Sequence, residues 1–240
     1  MIRLSLFLSA SIITASAFSA PSVIRSSMAP RGATLSSHEV LDNPMFIPPP
    51  PAEEGRHTPD ELIAIAKRFL VDSNGLGGDP SLLAENFTFE GPVVGPLTKD
   101  AFVKAIGSVD FPRAFPNWIP QFYGFHVDPL EPMANRVWYT ARGRGINEGP
   151  LPPFAPEGSG REVVNPPQVC SITIDHDTGL ITRYTIGYVV DRSVGNTGGL
   201  GGLYGILYAI GTPLPFPEAR PWKKSWQYGV FQKIGALLQR

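Results

Sequence analysis

The chain has 240 residues, of which 42% are hydrophobic and 17% charged, and its formal net charge is −1. That describes a globular protein with an adequate core, one large domain or two small ones at about 100–200 residues each, and it argues against a nucleic-acid binder, which carries a basic stripe. A single cysteine, Cys170, excludes an intramolecular disulfide and any multi-cysteine metal site.

The first 38 residues carry no Asp or Glu, and their fixed side-chain charges are Arg3, Arg25 and Arg31. Arg3 precedes the apolar run Leu4–Ile13, which is shorter than the roughly 20 residues that span a bilayer as a helix. The small-residue exit Ala15-Ser16-Ala17 completes a secretory signal peptide over 1–17, cleaved after Ala17. The hydroxyl-rich, basic stretch from Phe18 has transit-peptide composition, and the Pro48–Pro51 run makes an extended spacer, so 18–57 reads as transit peptide and linker. The junction Ala15-Ser16-Ala17-Phe18-Ser19-Ala20-Pro21 resembles the ASAFAP-type motif of algae with secondary plastids, which implies plastid import. A plain secreted protein is the alternative, and only there would the sequon Asn86-Phe87-Thr88 matter.

The folded domain is expected over 58–240. Thr58-Pro59-Asp60-Glu61 carries a cap, a first-turn proline and a capping box. Leu62, Ile65, Ala66, Phe69 and Leu70 recur on one helical face, and Asn74-Gly75 ends the helix. Asp79-Pro80 opens a second, shorter helix through Leu83, Asn86–Glu90 alternates as a strand, and Thr98 caps a third helix that ends at Gly107. Strands follow at Gln121–Asp128 and Arg136–Gly145. Glu148–Pro167 reads as a loop. Gln168–Asp175 and Leu180–Val190 form a hairpin across His176-Asp177-Thr178-Gly179. Leu203–Ile210 is a short apolar segment, and Trp222–Leu238 reads as a final helix weakened by Gly229 and Gly235. Helices first and strands afterwards indicate an α+β domain: a cone-shaped, curved antiparallel sheet with the N-terminal helices packed on it and a pocket inside.

The hairpin runs out into Asp191-Arg192 and then five glycines in eight residues, Gly195 to Gly202. A nucleotide-binding reading fails on spacing, because the third glycine would fall at Tyr204 and no Gly-Lys-Ser/Thr follows. The glycines are read instead as a tight turn and a close approach at the rim or lid of the pocket. Asp191 is either the holder of this loop or, at the cone mouth, a base or ligand. His126 and Asp128 lie two apart on a strand and leave the same face, an arrangement that suits proton transfer at a carbon acid. The other reading is a strand-end pair facing solvent. Arg142 and Arg144 share a face with Trp138 and Thr140. If that face lines the pocket, the guanidiniums bind an anion with Trp138 stacking on a ring; if it faces out, they are solvated. Tyr123, Tyr188 or Arg142 would steady a developing oxyanion. Cys170 is mid-strand and inert. His38, His57, His126 and His176 show no metal-ligand spacing, and no cofactor is indicated.

The element order, with Asn86-Phe-Thr-Phe-Glu-Gly-Pro92 before a helix, resembles the SnoaL-like branch of the nuclear transport factor 2-like fold. Gly95-Pro96-Leu97, Phe125-His126-Val127-Asp128-Pro129, Arg136-Val137-Trp138, Gly187–Gly199 and Pro213–Glu218 are similar to a group of plastid-targeted algal proteins of that fold. The broader resemblance implies a pocket Asp or His acting in a cyclase-like manner. The expected function is a plastid protein that binds a small apolar or aromatic molecule, with cofactor-free acid–base isomerisation or cyclisation as its enzymatic form. The alternative is a non-catalytic scaffold or thylakoid-associated accessory protein that uses Gly198–Pro217 as its contact surface. Whether it is an enzyme at all stays open. No nucleic acid and no transmembrane span of the mature chain are expected; a homodimer or a peripheral membrane contact is compatible with the sequence.

Overall fold

The computed structural model describes residues 57–71, 79–131 and 134–238, all within the unit Ile47–Arg240. The expected signal peptide, the transit peptide, the proline run and the Asn74-Gly75 helix end lie outside the described residues. The domain is α+β, with helices packed on a strongly curled sheet.

Helix α1, Pro59–Val71, opens with the expected capping box: Glu61 N–H donates to Thr58 Oγ1 at 3.2 Å, and Thr58 N–H donates to Glu61 Oε2 at 2.7 Å. Its buried face is Leu62, Ala66, Phe69 and Leu70. Burial of each large side chain contributes about 1.5–3 kcal/mol. The expected second helix is a single tight turn, Pro80–Leu82, capped by Asp79. Strand β1, Leu83–Glu90, begins at once, because Leu83, Ala84, Phe87 and Phe89 are more deeply buried as a strand over the core. After the short β2, Leu97–Thr98, helix α2 spans Lys99–Gly107 with Thr98 as its cap. A one-turn helix α3, Phe111–Ala114, was not foreseen; Asp110 caps it and Pro112 fixes its first turn.

The remaining strands are β3 (Ile119–Val127), β4 (Arg136–Ile146), β5 (Glu162–Val164), β6 (Gln168–Ile174) and β7 (Ile181–Val189). They join in the order β2-β1-β7-β6-β4-β3, with β5 on β4. Every pairing is antiparallel except β1 with β7, which is parallel. The all-antiparallel expectation is corrected there: β1 comes from the helical half of the chain and closes the sheet against its last strand. The β6–β7 turn is held by Asp175, which accepts from Thr178 N–H at 2.9 Å and Thr178 Oγ1 at 2.7 Å. Gly179 takes the positive φ the turn needs.

Two apolar clusters make the interior. The first joins α1, α2 and the concave sheet face through Phe69, Phe87, Phe89, Phe102, Tyr139 and Tyr184. The second gathers Phe111, Phe115, Leu151, Val163, Leu207 and Ile210 around α3 and helix α4, Gly202–Ile210. The Glu148–Pro167 segment, expected as a plain loop, therefore carries core residues and β5. Buried Asn147 anchors it, donating to Ala114 O and Gly149 O and accepting from Ser159 N–H. The last helix, α5, spans Trp226–Leu238.

Candidate functional site

A cavity of about 610 Å³ opens where the two apolar clusters meet, within the roughly 300–1,000 Å³ of small-molecule sites. The first cluster supplies Phe89, Phe102, Tyr139, Tyr184 and Ile186 to its wall, and the second supplies Phe111, Trp118, Leu203 and Ile206. Neither half makes this hollow alone.

The glycine run builds one wall. Gly199, Leu200, Gly201 and Gly202 line the cavity and feed α4. Gly201 lies so close to β7 that a Cβ there would overlap the carbonyl of Gly187. Gln168, almost fully buried, accepts from Gly202 N–H at 2.8 Å and ties this wall to β6. The rim role expected of the glycines has this physical content: bare backbone on bare backbone, fastened by one buried amide.

Polar groups at depth are few and neutral. Tyr139 and Tyr184 are each 2% exposed, and the Tyr139 hydroxyl donates to Tyr184 Oη at 3.4 Å. Burial, then the neighbouring Tyr184 and Cys170, hold the Tyr139 phenol well above its ordinary pKa. Burial likewise raises Tyr184. Burial pushes the Cys170 thiol up to about 11, so it is no nucleophile at neutral pH. Among the described residues, the one carboxylate on the wall is Glu218, which is exposed, and no histidine lines it. The cavity can thus hold an apolar body against a neutral hydroxyl pair and one buried amide.

Of the sequence-derived candidates, the structure brings Arg142 and Tyr188 to the cavity wall; Tyr188 is 41% exposed. Tyr123, His126, Asp128, Trp138 and Asp191 are not among its lining residues. On β3 a bulge lies between Tyr123 and His126, where Gly124 takes φ +68°. It turns Phe122, Phe125 and Val127 all toward the core, Phe125 stacking on Tyr139. Tyr123 and His126 are left exposed, opposite Thr140 and Trp138. His126 Nδ1 meets Gly124 O at 2.9 Å. Asp128 accepts from Trp138 Nε1 at 3.0 Å and from Leu130 N–H at 3.0 Å. The Trp138 bond, more than any charge, holds the Asp128 carboxyl below its usual pKa. The Arg136 guanidinium lies 3.9 Å from the Trp138 ring centre. His126 and Asp128 do share a face, but Asp128 is held by tryptophan rather than orienting an imidazole. Asp191 accepts from Ser193 N–H and Oγ at 2.8 and 2.6 Å, which is the loop-holding geometry. Tyr139, Tyr184 and Gln168 were missed as site residues. For Tyr139 a signal was present in the inward alternation Val137, Tyr139, Ala141, where a phenol stands among purely apolar neighbours.

Compared as a sequence, the chain matches no family profile and no curated protein. Its fold is similar to solved structures of the SnoaL-like and nuclear transport factor 2-like kind. One is a candidate SnoaL-like polyketide cyclase from Jannaschia sp. CCS1, at 14% identity over 69% of this chain and 99% of that one, with TM-score 0.47. A second is AclR, a candidate hydroxylase from Streptomyces galilaeus, at 14% identity over 76% and 96%, with TM-score 0.45. A third is a nuclear transport factor 2-like protein from Cytophaga hutchinsonii, at 13% identity over 56% and 92%, with TM-score 0.32. Such likenesses say nothing of ligand or chemistry.

Among the described residues no group of three or more His, Cys, Asp or Glu side chains could hold a metal ion. No described helix is long and apolar enough to cross a membrane.

Proposed function

We propose that the protein binds a small, largely apolar molecule bearing one hydrogen-bond-accepting oxygen, and that it does so in a plastid. The cavity carries the binding half of this reading: about 610 Å³, walled by aromatic and aliphatic side chains, with the Tyr139–Tyr184 hydroxyl pair as its deep polar point. A ketone, quinone or lactone oxygen suits that donor. Arg142, Tyr188, Arg192 and Glu218 line the same cavity and supply the more polar contacts.

Binding is favoured over acid–base isomerisation or cyclisation because the deep ionisable groups all keep their protons at neutral pH. His126 and Asp128 are not at the wall, and the carboxylate that is there, Glu218, is exposed rather than set at depth as a base. The test is native mass spectrometry of the protein incubated with cyclic ketones and quinones, comparing wild type with Ala141→Phe, which puts a ring into the cavity. The reading expects retention by wild type and loss in the variant. Equal retention by both overturns it.

The plastid half rests on the leader composition. Residues 1–57 fused to a fluorescent protein should enter the plastid of an alga with a secondary plastid, and Phe18→Ala should divert the fusion. Secretion of the wild-type fusion overturns this half alone.

A further inference from the structure

Helix α5 has no use in the cavity, and its surface is unlike that of any other helix in the described residues. None of its 13 residues is buried. Trp226 is 76% exposed, Phe231 72%, Leu237 69% and Leu238 83%, with Val230 and Ile234 about half exposed. These six fall on one side of the helix. At 100° per residue they cover an arc of about 140°, with Gln227 the single polar residue inside it. A soluble domain does not ordinarily leave such a stripe in water.

The charge around the stripe is one-sided. Residues 219–240 contain Arg220, Lys223, Lys224, Lys233 and Arg240 and no Asp or Glu, although the whole chain has net charge −1. Lys223 and Lys224 precede the helix beside Trp222, which is 62% exposed. Aromatic residues at the entry, an apolar stripe and lysines around it are what the boundary between lipid headgroups and acyl chains takes up. At 1.5 Å per residue the helix is about 20 Å long, too short for the roughly 30 Å hydrocarbon core, so it would lie in the plane of the surface. Gly229 and Gly235 leave it marginal in water, so a surface that shields the stripe also stabilises the helix. An acidic protein partner would satisfy the lysines but does not account for so wide an apolar arc.

We infer that α5, together with Trp222-Lys223-Lys224, is an interfacial anchor that docks the domain on an anionic membrane surface. The inference is independent of the ligand in the cavity. It differs from the contact surface expected at Gly198–Pro217, whose α4 buries Ile206, Leu207 and Ile210 in the core.

The test is flotation of the intact protein with vesicles of phosphatidylcholine alone and of phosphatidylcholine containing one-third phosphatidylglycerol. Co-flotation is expected with the anionic vesicles only, weakening as salt is raised. Lys223→Gln and Lys224→Gln should each weaken partition roughly fivefold. Phe231→Lys with Ile234→Lys should weaken it by more than roughly tenfold. Neither pair touches the core, so unchanged thermal unfolding certifies that the variants are folded. Absence of binding to anionic vesicles overturns the inference. So does equal binding to both vesicle types, or binding to polyglutamate without binding to vesicles. A lipid-free dimer that Phe231→Lys disperses overturns it too, because the stripe would then face a second copy.

Discussion

Gly201→Ala isolates the close approach that builds the cavity wall. Gly201 has φ −100° and ψ 170°, extended values that any L-residue adopts, so backbone strain contributes nothing to the outcome. Sterics decide it. The added Cβ would overlap Gly187 O and stand 2.7 Å from its carbonyl carbon and 2.9 Å from its Cα. Gly187 sits in β7 between Thr185, which pairs with both β1 and β6, and Tyr188, which pairs with β6, so the flanking pairs limit its freedom to retreat. The wall segment must move instead, straining the Gly202–Gln168 bond. An overpacked contact of this kind costs about 2 kcal/mol, which lowers the unfolding midpoint by about 4–8 °C in a domain of this size. The assay is thermal unfolding followed by near-ultraviolet dichroism. Gly229→Ala is the matched control. Its Cβ meets nothing within 4 Å and it sits inside α5, so the same substitution should add helix, by about 0.5–1 kcal/mol locally, and leave the midpoint unmoved. A midpoint for Gly201→Ala within a degree of wild type would refute the close approach.

Four further outcomes follow from the same geometry. Gln168→Leu removes the acceptor of Gly202 N–H and should destabilise by about 1–3 kcal/mol in denaturant titration at neutral pH; an unchanged midpoint would refute the fastening. Tyr139, Tyr184 and Cys170 all hold their protons more tightly when folded. Stability should therefore be complete below about pH 9, the ordinary thiol value, and fall as pH rises toward 11; a denaturation midpoint that rises over that window would refute the burial argument. Trp138→Phe removes the N–H that Asp128 accepts, so the Asp128 carboxyl should titrate upward, back toward the ordinary carboxylate range, in an NMR pH titration. His126→Ala, away from the cavity lining, should leave ligand retention unchanged; loss of retention would return His126 to the site.

The elements with local chemistry were legible in the sequence. Thr58-Pro59-Asp60-Glu61 writes its own helix start, because cap, proline and return hydrogen bond all lie within four residues. The β6–β7 hairpin is written by Asp175-His176-Asp177-Thr178-Gly179 flanked by apolar alternation. What failed was whatever depends on a partner far along the chain. Asp79-Pro80 is a good helix start, yet the tight turn after it yields at Leu83 because β1 is claimed by β7, about a hundred residues later. His126 and Asp128 shared a face as their spacing required, but Phe125 and Val127 took the core side of that strand end, and the Gly124 bulge reversed the strand before it so that Phe122 rather than Tyr123 turns inward.

The cavity marks the same division. The sequence by itself determined the apolar faces of α1 and α2, the α+β order, and a glycine run that no nucleotide motif explains, since each follows from chemistry within a few residues. The hollow belongs to the tertiary structure. It exists only because the segment from Phe111 to Val163 and helix α4 form a second cluster beside the first, leaving a gap that Gly201 and Gly187 close backbone to backbone. The phenols of Tyr139 and Tyr184 come from strands that are not adjacent, and they meet only because β6 lies between β4 and β7 in a curled sheet. Spacing along a chain carries no record of such a meeting, and so the sequence offers no sign that these two phenols form a pair.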